Sequence, residues 1–192
     1  MPHENEEAIG KNWREGELIE TFHLKRIASY QTLLMKEWLN ITPPEFNEAE
    51  RYYFERNLRG VNKIAGWSEE DLKMKFIAPI LELGLLLEND NTVTFFDKTI
   101  SATVEGIKLT VKSDFMIAEG LMDVFRAPYF HFQEYKPNKN PAGDSMAQLL
   151  EAFLIAQTKN KLPQPLYGIE IVGKTLDICA YGRQGVLHIQ IF

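Results

Sequence analysis

The stretch YFHFQEYK, Tyr129 to Lys136, alternates in a way that decides how the rest of the chain is read. On a strand, residues two apart share a face. Phe130, Phe132, Glu134 and Lys136 then lie on one side, with Tyr129, His131, Gln133 and Tyr135 on the other. The rings of Phe130 and Phe132 mark the first side as the one packed against a core. Glu134 and Lys136 emerge at the rim of that core. A lone charge there would cost several kcal/mol, so the two must pair, hold a metal or meet solvent. That placement points to a site.

The neighbouring segments supply the rest of a sheet. TVTFFDKTISATV (Thr92–Val104) and GIKLTVKSDFMIA (Gly106–Ala118) carry period-two patterns that begin after ENDN, with turns expected at Glu105-Gly106 and around Glu119-Gly120. DSMAQLLEAFLIAQTKN (Asp144–Asn160) reads as a helix capped by Asp144 or Ser145, with Met146, Leu149, Leu150, Phe153 and Leu154 as its apolar side. PLYGIEIVG, TLDICAYG and VLHIQIF follow as three short strands. Upstream, GWSEEDLKMKFIAPILELGLLL reads as a helix with Ser68 as N-cap and Asp71 in capping-box position. Pro79 should kink or restart it, and Gly84 should stop it. Residues of about 14–39 show helical spacing through Leu18, Phe22, Ile27, Leu33, Leu34 and Trp38. A second helix enters at Thr42-Pro43-Pro44 and runs to about Asn62. Helices, then strands, then one long helix and more strands fit an α/β or α+β domain, a mixed sheet flanked by helices.

A chain of 192 residues suits one core. It is read as a single domain over 1–192, with a helical N-terminal extension over 1–66 and the core over 67–192. The net charge of −6 argues against a protein that coats nucleic acid by charge alone. The acid excess lies towards the N-terminus, since six basic residues face five acidic ones from Pro128 onward. Cys179 is the single cysteine, and no Cys/His cluster suggests zinc. The most apolar window, FIAPILELGLLL, contains Glu82 and Pro79 and is too short to span a bilayer. The first residues lack the basic-then-apolar order of a signal peptide. A cytoplasmic protein without membrane contact is the expectation. No GxxxxGK[ST] phosphate loop and no GxSxG elbow occurs.

A second carboxylate, Asp114 in KSDFMIA, sits on the strand before. Two converging strand carboxylates can hold Mg²⁺ through hard oxygen ligands. A lysine beside them can orient a water, help deprotonate it, or offset phosphate charge. Those parts suit metal-assisted phosphodiester hydrolysis. Plainer roles exist for each: Asp114 as a turn cap after Lys112-Ser113, and Glu134 with Lys136 as an exposed strand-end pair.

With Ser113-Asp114 and Glu134-Tyr135-Lys136 the chain resembles the PD-(D/E)XK, or restriction-endonuclease-like, nucleases, with Ser113 where that family often has proline. The pattern is nearest to the N-terminal nuclease domain of type I restriction enzyme R subunits, over about residues 67–181. The resemblance implies a restriction-endonuclease-like core carrying an N-terminal helical extension. It implies a Mg²⁺-dependent nuclease, with Mn²⁺ as a substitute ion and nucleic acid, DNA first, as partner. Asp114, Glu134 and Glu69 (Glu70 the close alternative) would hold the metal, and Lys136 would assist the water. Gln148 stands where many members carry a glutamine, although Ala152 replaces the tyrosine of the fuller form. The rival expectation is a nuclease-fold binding or scaffold protein without turnover, acting through self-association or a protein partner of the N-terminal helices.

Overall fold

Residues 14–39 do not keep to one helix. The computed structural model describes residues 11–28, 32–40, 42, 45–84, 92–122, 124–137, 143–161, 164–182 and 185–191. Its first helix, α1 (Glu15–Thr21), ends ahead of His23, whose φ is +52°. The chain then forms a short strand, β1 (Arg26–Ala28), and resumes as α2 (Leu33–Leu39). Leu18 of α1 and Phe22 just after it belong to one apolar cluster, while Met35 of α2 packs with Ile178 and Ala180 in another. The clusters lie on opposite faces of the sheet, and one continuous helix cannot serve both. The N-terminal segment is therefore not a purely helical extension, because β1 contributes an edge strand to the sheet.

α3 (Glu48–Gly60) is fixed at its start by Asn47, whose Oδ1 accepts the Glu50 amide at 3.0 Å while Glu50 Oε2 accepts the Asn47 amide at 2.8 Å. A 3₁₀ stretch, Val61–Gly66, leads to α4 (Glu69–Leu72). The capping box read from Ser68 and Asp71 is present. Pro79 has the expected effect. The helix widens into a π turn at Lys73–Ile77 and restarts as α5 (Ala78–Leu83), with Pro79 in its first turn where no N–H is needed. The ENDN connection lies outside the described residues.

β2 (Val93–Val104) and β3 (Ile107–Leu121) pair antiparallel around Glu105-Gly106, where φ is +49° and +84°. β3 runs past the turn expected at Glu119-Gly120, and both residues pair with β4 (Val124–Lys136). Gly120 answers a close approach instead: a Cβ there would stand 2.7 Å from the Phe95 ring. α6 (Ser145–Asn160) crosses over to set β5 (Leu166–Val172) parallel to β4, and β6 (Thr175–Gly182) and β7 (Gly185–Ile191) follow antiparallel. The sheet order is β1-β7-β6-β5-β4-β3-β2, with β1 parallel to β7. This is a mixed α/β protein with helices on both faces of its sheet.

α6 is the centre of the larger cluster and is buried along most of its length. β2–β5 pack against one side of it, and Leu18 and Phe22 join the same cluster. Leu72, Ile77 and Leu81 cover the opposite face over Phe115, Tyr135 and Ile171. The alternation in β4 is shifted by a bulge. Ile117 pairs with His131 and Ala118 with Tyr129, which leaves Phe130 without a partner and half-buried. The core pair on the α6 side is therefore Tyr129 with Phe132, stacked at 6.0 Å, and not Phe130 with Phe132. Asn160, the last residue of α6, clasps the irregular stretch: it accepts the Tyr129 amide and donates to the Tyr129 carbonyl, both at 2.8 Å. From Phe132 onward the expected alternation holds. Among the described residues, no helix is long and apolar enough to cross a membrane.

Candidate functional site at the fork of β3 and β4

The β3–β4 ladder runs from Leu121 and Val124 up to Phe115 and Gln133, and stops there. Beyond it β4 keeps its pairing with β5 as far as Lys136 and Val172, while β3 stays with β2. The two strands fork. Backbone groups on the inner edges then need other partners, and side chains supply them. Asp114 Oδ2 accepts the Tyr135 amide at 2.8 Å, and Glu151 of α6 accepts the Thr110 amide at 2.9 Å. Asp114 is therefore a buried mid-strand residue and not a turn cap.

Groups from both faces of the sheet meet in the fork. Lys136 Nζ lies 3.0 Å from Glu69 Oε2 and 3.6 Å from Asp114 Oδ2. Glu134 is 0% exposed, and among the described residues neither carboxylate oxygen meets a hydrogen-bond partner at good geometry, although Asp114 stands close beside it. Burial, and after it the nearby Asp114 charge, pushes its pKa well above the usual carboxylate range, with Lys136 offsetting only part of this. For Lys136 burial acts downward, but the charge of Asp114 and the Glu69 contact outweigh it and hold the group as an ammonium. Asp114, Glu134, Lys136 and Glu69 thus come together. Gln148 does not join them. It sits half-buried in the first turn of α6, and its side chain has no hydrogen-bond partner among the described residues.

Two residues of the cluster were not foreseen. Lys73 Nζ lies 2.8 Å from Asp114 Oδ1, 3.1 Å from Asp97 Oδ1 and 3.1 Å from Glu69 Oε1. Burial would lower its pKa, yet Asp114, Asp97 and Glu69 together raise it. Lys73 had a signal, since it stands four residues after Glu69 on one helix face. Asp97 had none in periodicity, because it reaches the cluster by leaving the β2 ladder with φ of +53°. Lys73, Glu69, Lys136 and Asp114 close a ring of alternating charge, and Glu134 stands outside it.

The donor set is hard oxygen, and a buried carboxylate with neither oxygen in a well-formed hydrogen bond calls for a cation or a proton. Asp114, Glu134 and Glu69 are the residues that could hold a divalent ion such as Mg²⁺. Among the described residues no three of His, Cys, Asp and Glu stand together as a ready ligand set, because the two ammoniums hold Glu69 and Asp114 to themselves. Beside α4 an open groove is lined by Arg56, Asn57, Gly60, Lys63, Trp67 and Lys75. Lys75 Nζ lies 5.8 Å from the Trp67 ring centre, and Trp67 precedes Glu69 by two residues. Compared with known protein families, with curated proteins and with solved structures, the chain matches none.

Proposed function

We propose that the protein is a Mg²⁺-dependent nuclease with a restriction-endonuclease-like core, hydrolysing phosphodiester bonds of nucleic acid, DNA first. The observation that carries this reading is Glu134, fully buried beside Asp114 with no well-formed hydrogen bond among the described residues, in a fork that also holds Lys136. Among the described residues Glu134 makes no well-formed hydrogen bond or ion pair for the fold, and leaving a carboxylate so costs several kcal/mol. Asp114 and Glu134 would hold the ion, with Glu69 as a further ligand. When bound, the ion supplies a Lewis acid for the phosphoryl oxygen and lowers the pKa of water. Lys136, kept as an ammonium by the carboxylates around it, offsets phosphate charge and orients the attacking water. The water oxygen bonds to phosphorus as the ester P–O bond breaks, and the proton that the water gives up passes through solvent to the leaving oxygen. Arg56, Lys63 and Lys75 offer phosphate contacts along the groove, and Trp67 offers a face for a base to stack on.

The test is cleavage of single- and double-stranded DNA and RNA with Mg²⁺ or Mn²⁺. Wild-type protein should cleave, while Lys136→Ala and Glu134→Gln each lose at least about a hundredfold. Absent cleavage, or cleavage that survives both substitutions, overturns the reading.

A second reading, a nuclease-fold binding module without turnover, has its own support. The lysine–carboxylate ring is satisfied internally, and α3 exposes Tyr52 and Leu58 to a partner. Absence of Mn²⁺ binding by calorimetry would favour it.

A further inference from the structure

We infer that Lys73 stands in for a second cation, so that the fork takes one divalent ion where its carboxylates would otherwise take two. This rests on reading the fork as a cation site. The ammonium of Lys73 has three N–H donors, and three carboxylates on three separate elements each take one. Asp114 comes from β3, Asp97 from β2 and Glu69 from α4, at 2.8, 3.1 and 3.1 Å. Lys136 makes no such seat, having one carboxylate at 3.0 Å and another at 3.6 Å.

The surroundings fit a cation position and not an incidental ion pair. The Lys73 side chain is only 11% exposed, so its three partners close around it. Asp97 leaves the β2 ladder between Phe96 and Lys98, and its carboxylate meets Lys73 and Lys112. A lysine so placed is shared by Glu69, Asp97 and one side of Asp114. It has no ion pair with Glu134, whose two buried oxygens have no well-formed hydrogen bond among the described residues. The independent sign of a ligand is thus Glu134, buried beside Asp114. Divalent ions bind oxygen at roughly 2.0–2.6 Å. With the lysine removed, the three oxygens need to close by only about 0.5–1 Å, which the partly exposed Glu69 and Asp97 side chains can supply.

The inference predicts a gain of binding, which a merely structural lysine would not give. Calorimetric titration with MnCl₂, backed by paramagnetic resonance of bound Mn²⁺, should count one ion per wild-type chain and two for Lys73→Met. Adding Asp97→Asn to Lys73→Met should return the count to one, and Lys73→Arg should keep it at one. If Lys73→Met folds poorly without metal, Mn²⁺ should restore its circular dichroism and melting transition. One ion in both wild type and Lys73→Met, two in wild type, or two in Lys73→Arg overturns the inference and leaves the proposed hydrolysis standing. No ion in wild type and one in Lys73→Met overturns the inference as well, and removes the metal-dependent reading with it. No ion in either chain removes both.

Discussion

Glu151 and Glu134 are both carboxyl groups folded out of water, and they differ in what the fold gives them to do. Glu151 has a task in the fold, accepting the Thr110 amide that the β3–β4 fork leaves over. Its pKa is still pushed up to about 7, because burial outweighs that one hydrogen bond. A raised carboxyl pKa makes folding favourable at low pH. The contribution is fully present below the ordinary 4.5, falls as pH rises towards about 7, and is constant above. Glu151→Gln keeps an oxygen to accept from Thr110 and cannot ionise. The fall in melting temperature between pH 4.5 and 7 should therefore be shallower in the variant, by a term of at most about 3 kcal/mol, less where solvent screens the group. Glu170, also raised to about 7 by burial, preserves part of the slope. A pH profile of thermal melts identical to wild type would contradict this account. At this scale the meeting of Asp114, Glu134 and Lys136 was legible, since residues at fixed strand spacing show in sequence. Asp97 was not, because its backbone turn has no composition cue. Phe130 was misplaced for a related reason: a bulge changes which residues share a face without changing the letters.

Among the elements, α6 and β5 show why local patterns succeed and where they fail. The helix was legible because Asp144 caps it, its Oδ1 accepting the Ala147 amide at 2.9 Å, and because the apolar residues are so dense. How closely β5 approaches it was not legible, since Gly168 reads as a generic strand weakness. In the structure a Cβ on Gly168 would stand 2.6 Å from the Phe153 ring, 2.9 Å from Leu149 Cδ1 and 3.0 Å from the Phe132 carbonyl. Backbone and helix side chains touch there, so the glycine is a packing residue. Gly168→Ala should destabilise by about 1–3 kcal/mol, through displaced rings and a shifted strand. Urea denaturation followed by far-ultraviolet circular dichroism would measure it, and an unchanged midpoint would show that α6 has room to move. The helix from Ser68 gives the converse lesson: its cap and its proline break were both visible, because each acts through neighbours within one turn.

Across the whole molecule, the largest departure from the sequence reading is the N-terminal segment, and it bears on how the fork is held. An appended helical layer would leave the core intact without it. Instead Leu18 is 0% exposed within the α6 cluster, and β1 lies along β7. Asp144 ties the two regions further: its Oδ2 accepts the Glu15 amide at 2.9 Å while its Oδ1 caps α6. Helical spacing over 14–39 hid this, because residues serving opposite faces of a sheet can still fall on one helical stripe by count. The same α6 sends Glu151 to β3 at the fork, so loosening α1 loosens the strand that carries Asp114. Leu18→Ala should accordingly cost about 2–5 kcal/mol, a large part of the 5–15 kcal/mol typical of a whole domain. Tryptophan fluorescence and far-ultraviolet circular dichroism should lose signal in one coincident urea transition, as a single core demands. An early fluorescence step that leaves the sheet signal intact would instead make the first helices a separable layer, and would return the fork to β2–β5 and α4–α6 alone.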